Sequence, residues 1–136
     1  DPQHRLLLQT TWAALEDAGW PPTATRGRRV GVFVGASRNE SATLAAGSGR
    51  DLGGFANTGN APALLVARVS RFFDWTGPSE TVDAACAGSA AAIHRAVRAI
   101  RAGDCEAAVA GGGSLLLSPA TLVTNARLGL LAAEPE

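Results

Sequence analysis

One cysteine lies in the residue pattern that most directly suggests covalent chemistry. Cys86 occurs in the run Glu80-Thr-Val-Asp-Ala-Ala-Cys-Ala-Gly-Ser89, where a strand-like segment changes at once into a helical pattern. The thiol is therefore expected on the turn before a helix, where backbone N–H groups lack intrahelical partners and the helix dipole favours negative charge. Because the thiolate is the nucleophilic form, the pattern predicts a cysteine that can accept an acyl group from a thioester. A small thiol that only fills core space is the competing interpretation.

Neither histidine is placed to act as a base for this thiol. The sequence has two histidines, His4 and His94, and two cysteines, Cys86 and Cys105. His94 lies eight residues beyond Cys86 on the same predicted helix, about 12 Å along its axis at 1.5 Å per residue, so we expect a packing or surface role. A cysteine hydrolase, which needs a histidine base and an orienting acid, is therefore disfavoured. The four side chains show no metal-ligand spacing, so no metal is expected.

The two cysteines are expected to remain reduced. Cys86 and Cys105 lie at opposite ends of one predicted helix, about 30 Å apart, which is too far for a disulfide. Free thiols are typical of a reducing cytoplasm, and the sequence opens without a signal peptide pattern. The longest uncharged stretch, 107–126, is interrupted by a Gly-Gly-Gly run and by Ser-Pro, so no membrane span is predicted.

Composition indicates a globular domain without a nucleic-acid partner. The chain has 136 residues, of which 46% are hydrophobic and 18% charged, and its formal net charge is zero. A nucleic-acid-binding face would need a basic surplus. The one tight basic cluster, formed by Arg26, Arg28 and Arg29, is interpreted as a solvated edge before a strand. Glycines in 47–54 do not fit the spacing of a nucleotide-binding loop, so that function is disfavoured.

Helical and strand patterns alternate along the chain and predict an α/β layered fold with a mostly parallel core sheet. The hydrophobic periodicity and the capping residues predict helices over 3–18, 62–73, 87–102 and 119–128, and strands over 29–35, 80–84 and 107–111. Residues 36–61 are predicted to form a loop with a short helix near 40–46. The apolar run in 29–35 indicates a strand covered on both faces, and 107–111 is expected to be a buried strand.

Three helices have predicted buried faces. The candidate core residues are Leu8, Trp12 and Leu15 with Ala14 and Ala18 on the first helix, Leu65, Val69, Phe72 and Phe73 on the second, and Ala90, Ile93, Val97 and Ile100 on the helix after Cys86. The many alanines at the start of that last helix suggest close packing and deep burial.

Several segments together resemble one enzyme family. Thr81–Ser89 and the following Ile93–Gly112 closely resemble the active-site segment of β-ketoacyl synthases, above all the ketosynthase domain of modular polyketide synthases. The family is matched in the same order by Asp1-Pro-Gln-His-Arg-Leu-Leu-Leu8, Trp12-Ala-Ala-Leu-Glu-Asp-Ala-Gly19, Gly31-Val-Phe-Val-Gly35 and Gly77-Pro-Ser-Glu-Thr-Val-Asp83. The stretch Asn57-Thr-Gly-Asn-Ala-Pro-Ala-Leu-Leu65 leans toward polyketide synthases that are served by a separate acyltransferase.

The resemblance implies a fold, a reaction and partners. It implies a thiolase-like α/β/α fold with a buried central helix, a homodimer, and Cys86 as the residue that accepts an acyl chain. The chain would arrive on the phosphopantetheine arm of an acyl carrier protein within a synthase of neighbouring domains, with backbone N–H groups near Cys86 as the oxyanion hole. No metal or redox cofactor is implied. In the complete domain a decarboxylative Claisen condensation with a malonyl-type extender would follow.

The resemblance also implies that residues 1–136 are part of a larger domain. Condensation in this family uses two histidines that lie further along the sequence, and His4 belongs instead to the opening motif, which in the family is structural. We therefore expect an N-terminal-half segment of a ketosynthase domain, truncated at both ends.

The sequence around the nucleophile departs from the family pattern and keeps alternatives open. The family usually has Thr-Ala-Cys-Ser-Ser-Ser, whereas this chain has Ala84-Ala-Cys-Ala-Gly-Ser89. The lost hydroxyls suggest a non-elongating ketosynthase-like module for acyl transfer and dimerisation as one alternative. A fatty-acid β-ketoacyl synthase and a fragment without autonomous function are the others.

Overall fold

A computed structural model describes residues 1–49, 51 and 53–132 of the chain. The predicted helices and strands all occur in the predicted order. The helices are α1 (Pro2–Asp17), α2 (Glu40–Gly47), α3 (Ala56–Asn60), α4 (Pro62–Phe73), α5 (Gly88–Ala102) and α6 (Pro119–Arg127). The strands are β1 (Val30–Gly35), β2 (Ser79–Val82) and β3 (Ala107–Gly112), and short 3-10 turns occupy Pro22–Thr25 and Ala85–Ala87. Helix α3 lies in a segment that was expected to be loop.

The strands form a parallel sheet whose carboxyl ends are level. Within the described residues the strand order is β2-β1-β3, with β1 in the centre. Gly35, the last residue of β1, pairs with Val82 at the end of β2 and with Gly112 at the end of β3. Because parallel strands need crossover connections, α4 links β1 to β2 and α5 links β2 to β3. The segments that follow all three strands therefore start at one edge of the sheet.

Strand β1 is covered on both faces, as its apolar run predicted. All six of its residues are buried. Val30, Val32 and Val34 pack in one hydrophobic cluster with Leu15 of α1 and with residues of α4, whereas Phe33 packs in another with α5. This alternation follows from the two-residue period of a strand and gives helix, sheet and helix layers.

The buried faces of α1 and α4 are narrower than predicted. Leu15, Leu65, Val69 and Phe73 are buried as expected, but Trp12 is 40% exposed and Phe72 is 54% exposed. Their rings make an edge contact, with centroids 6.4 Å apart, at the outer margin of the helix pair. The buried face of α1 consists of His4, Thr11 and Leu15, and the predicted Ala14 and Ala18 are exposed.

Helix α5 buries a face that is rotated by one residue, about 100°, from the predicted one. Its buried residues include Ala92, Ala96 and Ala99, whereas the larger Ile93, Val97 and Ile100 are 52%, 40% and 43% exposed, and Ala90 is also exposed. The prediction was wrong because a helix that lies against Phe33 has room only for methyl side chains. The expected deep burial of this helix does not occur in the described part of the chain, and β3 beside it is only partly buried.

Other local predictions hold. Ser118 caps α6 by accepting the Ala120 N–H at 3.2 Å, and Gly103 ends α5 in the left-handed region at φ 80°. The arginine cluster is exposed: Arg28 pairs with Glu106 at 2.9 Å and lies over the Trp20 ring. No helix in the described ranges is long and apolar enough to cross a membrane.

Candidate active site

Cys86 occupies the predicted turn. It lies in the Ala85–Ala87 turn, four residues beyond the end of β2 and directly before α5, and it is exposed. Cys105 is also a free thiol but is 2% exposed, and burial raises its pKa. The structure therefore separates an accessible cysteine at the sheet edge from a cysteine that fills core space.

Glycines allow α5 to begin in direct contact with the carboxyl ends of the strands. A Cβ on Gly35 would lie 2.7 Å from both the Gly88 carbonyl oxygen and the Ser89 nitrogen, so a side chain at Gly35 is excluded by backbone. A Cβ on Gly88 would lie 3.3 Å from the Gly35 Cα, and one on Gly112 would collide with the Ser89 hydroxyl. The start of α5, directly after the turn that carries Cys86, thus packs through backbone against Gly35 of β1 and through the Ser89 side chain against Gly112 of β3.

A pocket of about 350 Å³ opens beside the thiol. Its lining residues follow the three strands and the cysteine turn: Gly35, Ala36, Ser37, Arg38, Ala85, Cys86, Gly88, Ser89, Gly112, Gly113 and Ser114. Small residues and hydroxyls dominate, and of these described lining residues Arg38 alone carries a formal charge. The pocket lies outside the carboxyl ends of parallel strands, where ligands bind in open α/β sheets.

The residue before Cys86 has an unusual backbone conformation. Ala85 has φ 45°, in the left-handed region, which costs an L-residue about 1–2 kcal/mol. Asp83 accepts the Ala85 N–H at 3.3 Å through Oδ1. Hydrogen bonds from the Ser37 hydroxyl and from that N–H hold the pKa of Asp83 below its usual range. Such strain next to a reactive residue is typical of functional sites.

Several backbone N–H groups lie beside the thiol. The N-cap residues Ala84 and Ala87 make no side-chain cap hydrogen bond, but the Ala87 N–H donates to the Ala84 carbonyl at 2.9 Å and the Gly88 N–H donates to the Ala85 carbonyl. The N–H of Cys86 lies on the same turn. Donors of this kind can stabilise an oxyanion that forms on a carbonyl attacked by Cys86.

The two histidines lie away from the pocket lining. His94 is exposed on α5 and lines a separate groove with Arg95, Arg98 and Asp104. His4 is 6% exposed, burial lowers its pKa, and its Nδ1 atom has no hydrogen-bond partner among the residues that the structure describes. Both placements agree with the structural roles expected from the sequence. Among the described residues no group of three or more His, Cys, Asp or Glu side chains could hold a metal ion.

Sequence reasoning missed the residues that support the cysteine turn. Ser37 and Asp83 each come within two residues of the end of a parallel strand, β1 and β2 respectively. Because such ends meet at one edge, this position was a usable signal. Arg38, one residue beyond Ser37, was also missed, although the same signal applied to it.

Comparisons with known proteins agree with this geometry. A family described as β-ketoacyl synthase, N-terminal domain, matches residues 1–136. The chain is 45% identical over 127 residues to the pikromycin polyketide synthase component PikAII of Streptomyces venezuelae, covering 93% of this chain and 3% of that protein. It is 43% identical over 123 residues to erythronolide synthase EryA2 of Saccharopolyspora erythraea, covering 90% of this chain and 3% of that protein.

Solved ketosynthase structures have the same fold. The ketosynthase from module 6 of the bacillaene synthase of Bacillus subtilis 168 superposes with a TM-score of 0.84 at 32% identity, over 98% of this chain and 22% of that one. The oxazolomycin ketosynthase domain OzmH KS7 of Streptomyces albus JA3453 gives a TM-score of 0.83 at 43% identity, over 95% of this chain and 22% of that one. The chain therefore spans about a fifth of these ketosynthase structures.

Proposed function

Because this chain belongs to the β-ketoacyl synthase family, among the ketosynthases of polyketide synthases, we propose that Cys86 is its acyl-accepting nucleophile. The observation that supports this most strongly is an exposed thiol on a turn at the carboxyl edge of a parallel sheet, facing a pocket of about 350 Å³. The fold is the thiolase-like α/β fold of these ketosynthases, represented in part.

Acyl transfer to Cys86 is a thioester exchange. The Cys86 thiolate attacks the carbonyl carbon of an incoming acyl thioester and forms a tetrahedral intermediate with a negative oxygen. Backbone N–H groups of the turn, that of Cys86 among them, hold that oxygen. When the intermediate collapses, the bond between the carbonyl carbon and the donor sulfur breaks. The donor leaves as a thiolate that takes up a proton from solvent, and the acyl group remains on Cys86.

The acyl donor and the second half-reaction follow from the family. We propose an acyl carrier protein, whose phosphopantetheine arm carries the acyl thioester, as the donor. In the complete domain the acyl-enzyme would be attacked by the carbanion from decarboxylation of a malonyl-type extender, a step that needs histidines not found in 1–136. A homodimer, contacts with neighbouring synthase domains and a cytoplasmic location are part of the same proposal. No metal or redox cofactor takes part in the proposed chemistry.

A non-elongating acyl-transfer module was the second candidate, suggested by the Ala87–Gly88 pair. The structure gives Gly88 a packing reason, since a Cβ there would lie 3.3 Å from the Gly35 Cα. The substitution of a serine by glycine therefore does not itself indicate lost condensation, and we retain the condensing ketosynthase as the proposed function.

A simple acyl donor tests the role of Cys86. The chain is incubated with acetyl-S-N-acetylcysteamine, and intact and peptide mass spectrometry locate the acetyl group. We expect one acetyl group on Cys86, no loading of Cys86→Ala, and normal loading of Cys105→Ala, with circular dichroism as the check that each variant folds. Equal acetylation of Cys86→Ala and the unaltered chain would contradict the assignment.

A further inference from the structure

We propose that Asp83 is a positioning residue that fixes the left-handed backbone of Ala85 and thereby the direction of the Cys86 thiol, with Ser37 holding the carboxylate in place. This inference rests on the proposed role of Cys86 as nucleophile. It assigns a task to two polar side chains that the acyl-transfer mechanism itself does not use.

The first part of the argument concerns the turn. Alanine rarely adopts φ 45°, so the conformation persists only where surrounding groups fix it. Asp83 Oδ1 accepts the Ala85 N–H at 3.3 Å and so fixes the peptide plane one residue before the nucleophile. A hydrogen bond from residue i+2 to an aspartate side chain is a recognised way to hold a tight turn.

The second part concerns what holds Asp83. Gly35 and Val82 pair in register, and the Ala36 N–H donates to the Val82 carbonyl oxygen at 3.1 Å, so β1 and β2 remain joined to their ends. Ser37 follows β1 by two residues, Asp83 follows β2 directly, and both residues line one pocket of about 340 Å³. Hydrogen bonding with Ser37 is the largest cause that lowers the pKa of Asp83. The carboxylate therefore lies beside the segment that follows the central strand as well as at the end of its own strand.

Asp83 acts through the turn and not on the substrate. It lines a neighbouring pocket of about 340 Å³ with His4 and Ser37, whereas the lining of the Cys86 pocket includes Ser37 and Ala85 but not Asp83. The hydrogen bond from the Ala85 N–H connects its exposed side chain to the backbone beside Cys86.

The test compares two reactions of the same thiol. Alkylation by iodoacetamide needs an accessible thiolate, whereas acetylation by acetyl-S-N-acetylcysteamine also needs the thiol aimed correctly relative to the N–H donors. We expect Asp83→Ala to slow acetylation of Cys86 by about tenfold or more, since small misplacements of reacting groups cost up to about a hundredfold. The rate at which iodoacetamide alkylates Cys86 should change much less in the same variant. Ser37→Ala should give a smaller loss, and Asp17→Ala, an exposed aspartate on α1, should leave both rates unchanged.

Two further variants separate positioning from charge. Asp83→Asn keeps an oxygen that accepts the Ala85 N–H, so it should retain most of the acetylation rate. Ala85→Gly removes the steric penalty of the left-handed region. Asp83→Ala should therefore slow acetylation less when it is combined with Ala85→Gly than when it is made alone. If Asp83→Asn is acetylated as slowly as Asp83→Ala, the charge of Asp83 matters and not its hydrogen bond, and the proposal is overturned.

The outcomes distinguish this proposal from the proposed function. If Cys86→Ala is acetylated like the unaltered chain, the proposed function fails. If the unaltered chain is acetylated on Cys86 and Asp83→Ala reacts equally fast, only the positioning role fails. Amide hydrogen exchange of Ala85, measured by NMR, gives a readout independent of acylation. It should accelerate in Asp83→Ala, and an unchanged rate would overturn the proposal.

Discussion

Gly35 and Gly88 are in direct backbone contact, with the Cα of one 3.3 Å from where a Cβ of the other would lie. Gly35 ends the central strand, and Gly88 begins the helix that follows the turn that carries Cys86. The contact fixes how closely this turn approaches the end of the sheet. A side chain on Gly35 would collide with the backbone of Gly88 and Ser89, and one on Gly88 would be in tight contact with Gly35. The pair therefore links the packing of the fold to the geometry of the site.

Substitution of Gly35 by alanine should therefore destabilise the chain and slow acetylation of Cys86. The new Cβ would lie 2.7 Å from the Gly88 carbonyl oxygen and the Ser89 nitrogen, and backbone cannot rotate away. Overpacking typically costs about 1–3 kcal/mol. Urea unfolding followed by tryptophan fluorescence measures the effect. Gly111→Ala on β3 is the matched control, because nothing lies within 4 Å of its Cβ position. Equal stability of the two variants would contradict the prediction.

Glu40 joins α2 to the start of α6, and its contribution should depend on pH. Its carboxylate accepts the Leu117 N–H at 2.6 Å and the Ser118 N–H at 2.7 Å, as well as the Thr121 hydroxyl. These hydrogen bonds, that of Thr121 above all, lower the pKa of Glu40, with Arg38 adding a smaller effect.

A lowered pKa in the folded state means that folding favours the ionised form. The stabilisation is complete above the carboxyl pKa of the unfolded chain, about 4.3, and is lost as pH falls through the lower folded pKa. Glu40→Gln should therefore melt at a lower temperature than the unaltered chain at neutral pH, and the difference should shrink in acid. Thermal scans from pH 7 downward measure this difference in melting temperature. Asp17→Asn is the control, because Asp17 is a carboxylate at the end of α1, whereas Glu40 is at the start of α2. A gap that stays constant with pH would show that the charge contributes nothing.

The two thiols should react at very different rates. Cys86 is exposed, whereas Cys105 is 2% exposed and has a pKa that burial raises. Because only an accessible thiolate reacts, iodoacetamide should modify Cys86 first and Cys105 only after unfolding in urea. A time course by peptide mass spectrometry measures both sites. Similar rates in the native chain would mean that Cys105 is not held in the core.

The alanine face of α5 should be more sensitive to substitution than its larger apolar face. Ala92 is fully buried against the cluster around Phe33, so Ala92→Leu should destabilise the chain by about 1–3 kcal/mol. Ile93 is 52% exposed, and Ile93→Ala should have little effect. Denaturant midpoints of the two variants provide the comparison, and a larger loss for Ile93→Ala would mean that the other face of the helix is the packed one.

Several features were determined by local sequence. Periodicity and capping residues predicted every strand and all helices except α3, because these signals act over a few residues. The unbroken apolar run of β1 predicted burial on both faces, and the order of strand, turn and helix predicted that Cys86 lies on the turn before α5. The matched segments also predicted the family that the comparisons show.

The tertiary structure decided which of two apolar faces is buried and which polar groups meet. On α5 hydrophobicity favours the isoleucine face, but close approach to Phe33 and Gly35 selects the smaller alanines. The Asp83–Ala85 hydrogen bond depends on a left-handed turn that no local propensity of alanine favours. Glu40 reaches Ser118 across a sequence separation of 78 residues. Such contacts depend on how distant segments are placed in space, and that placement is set by packing of the whole sheet rather than by neighbouring residues.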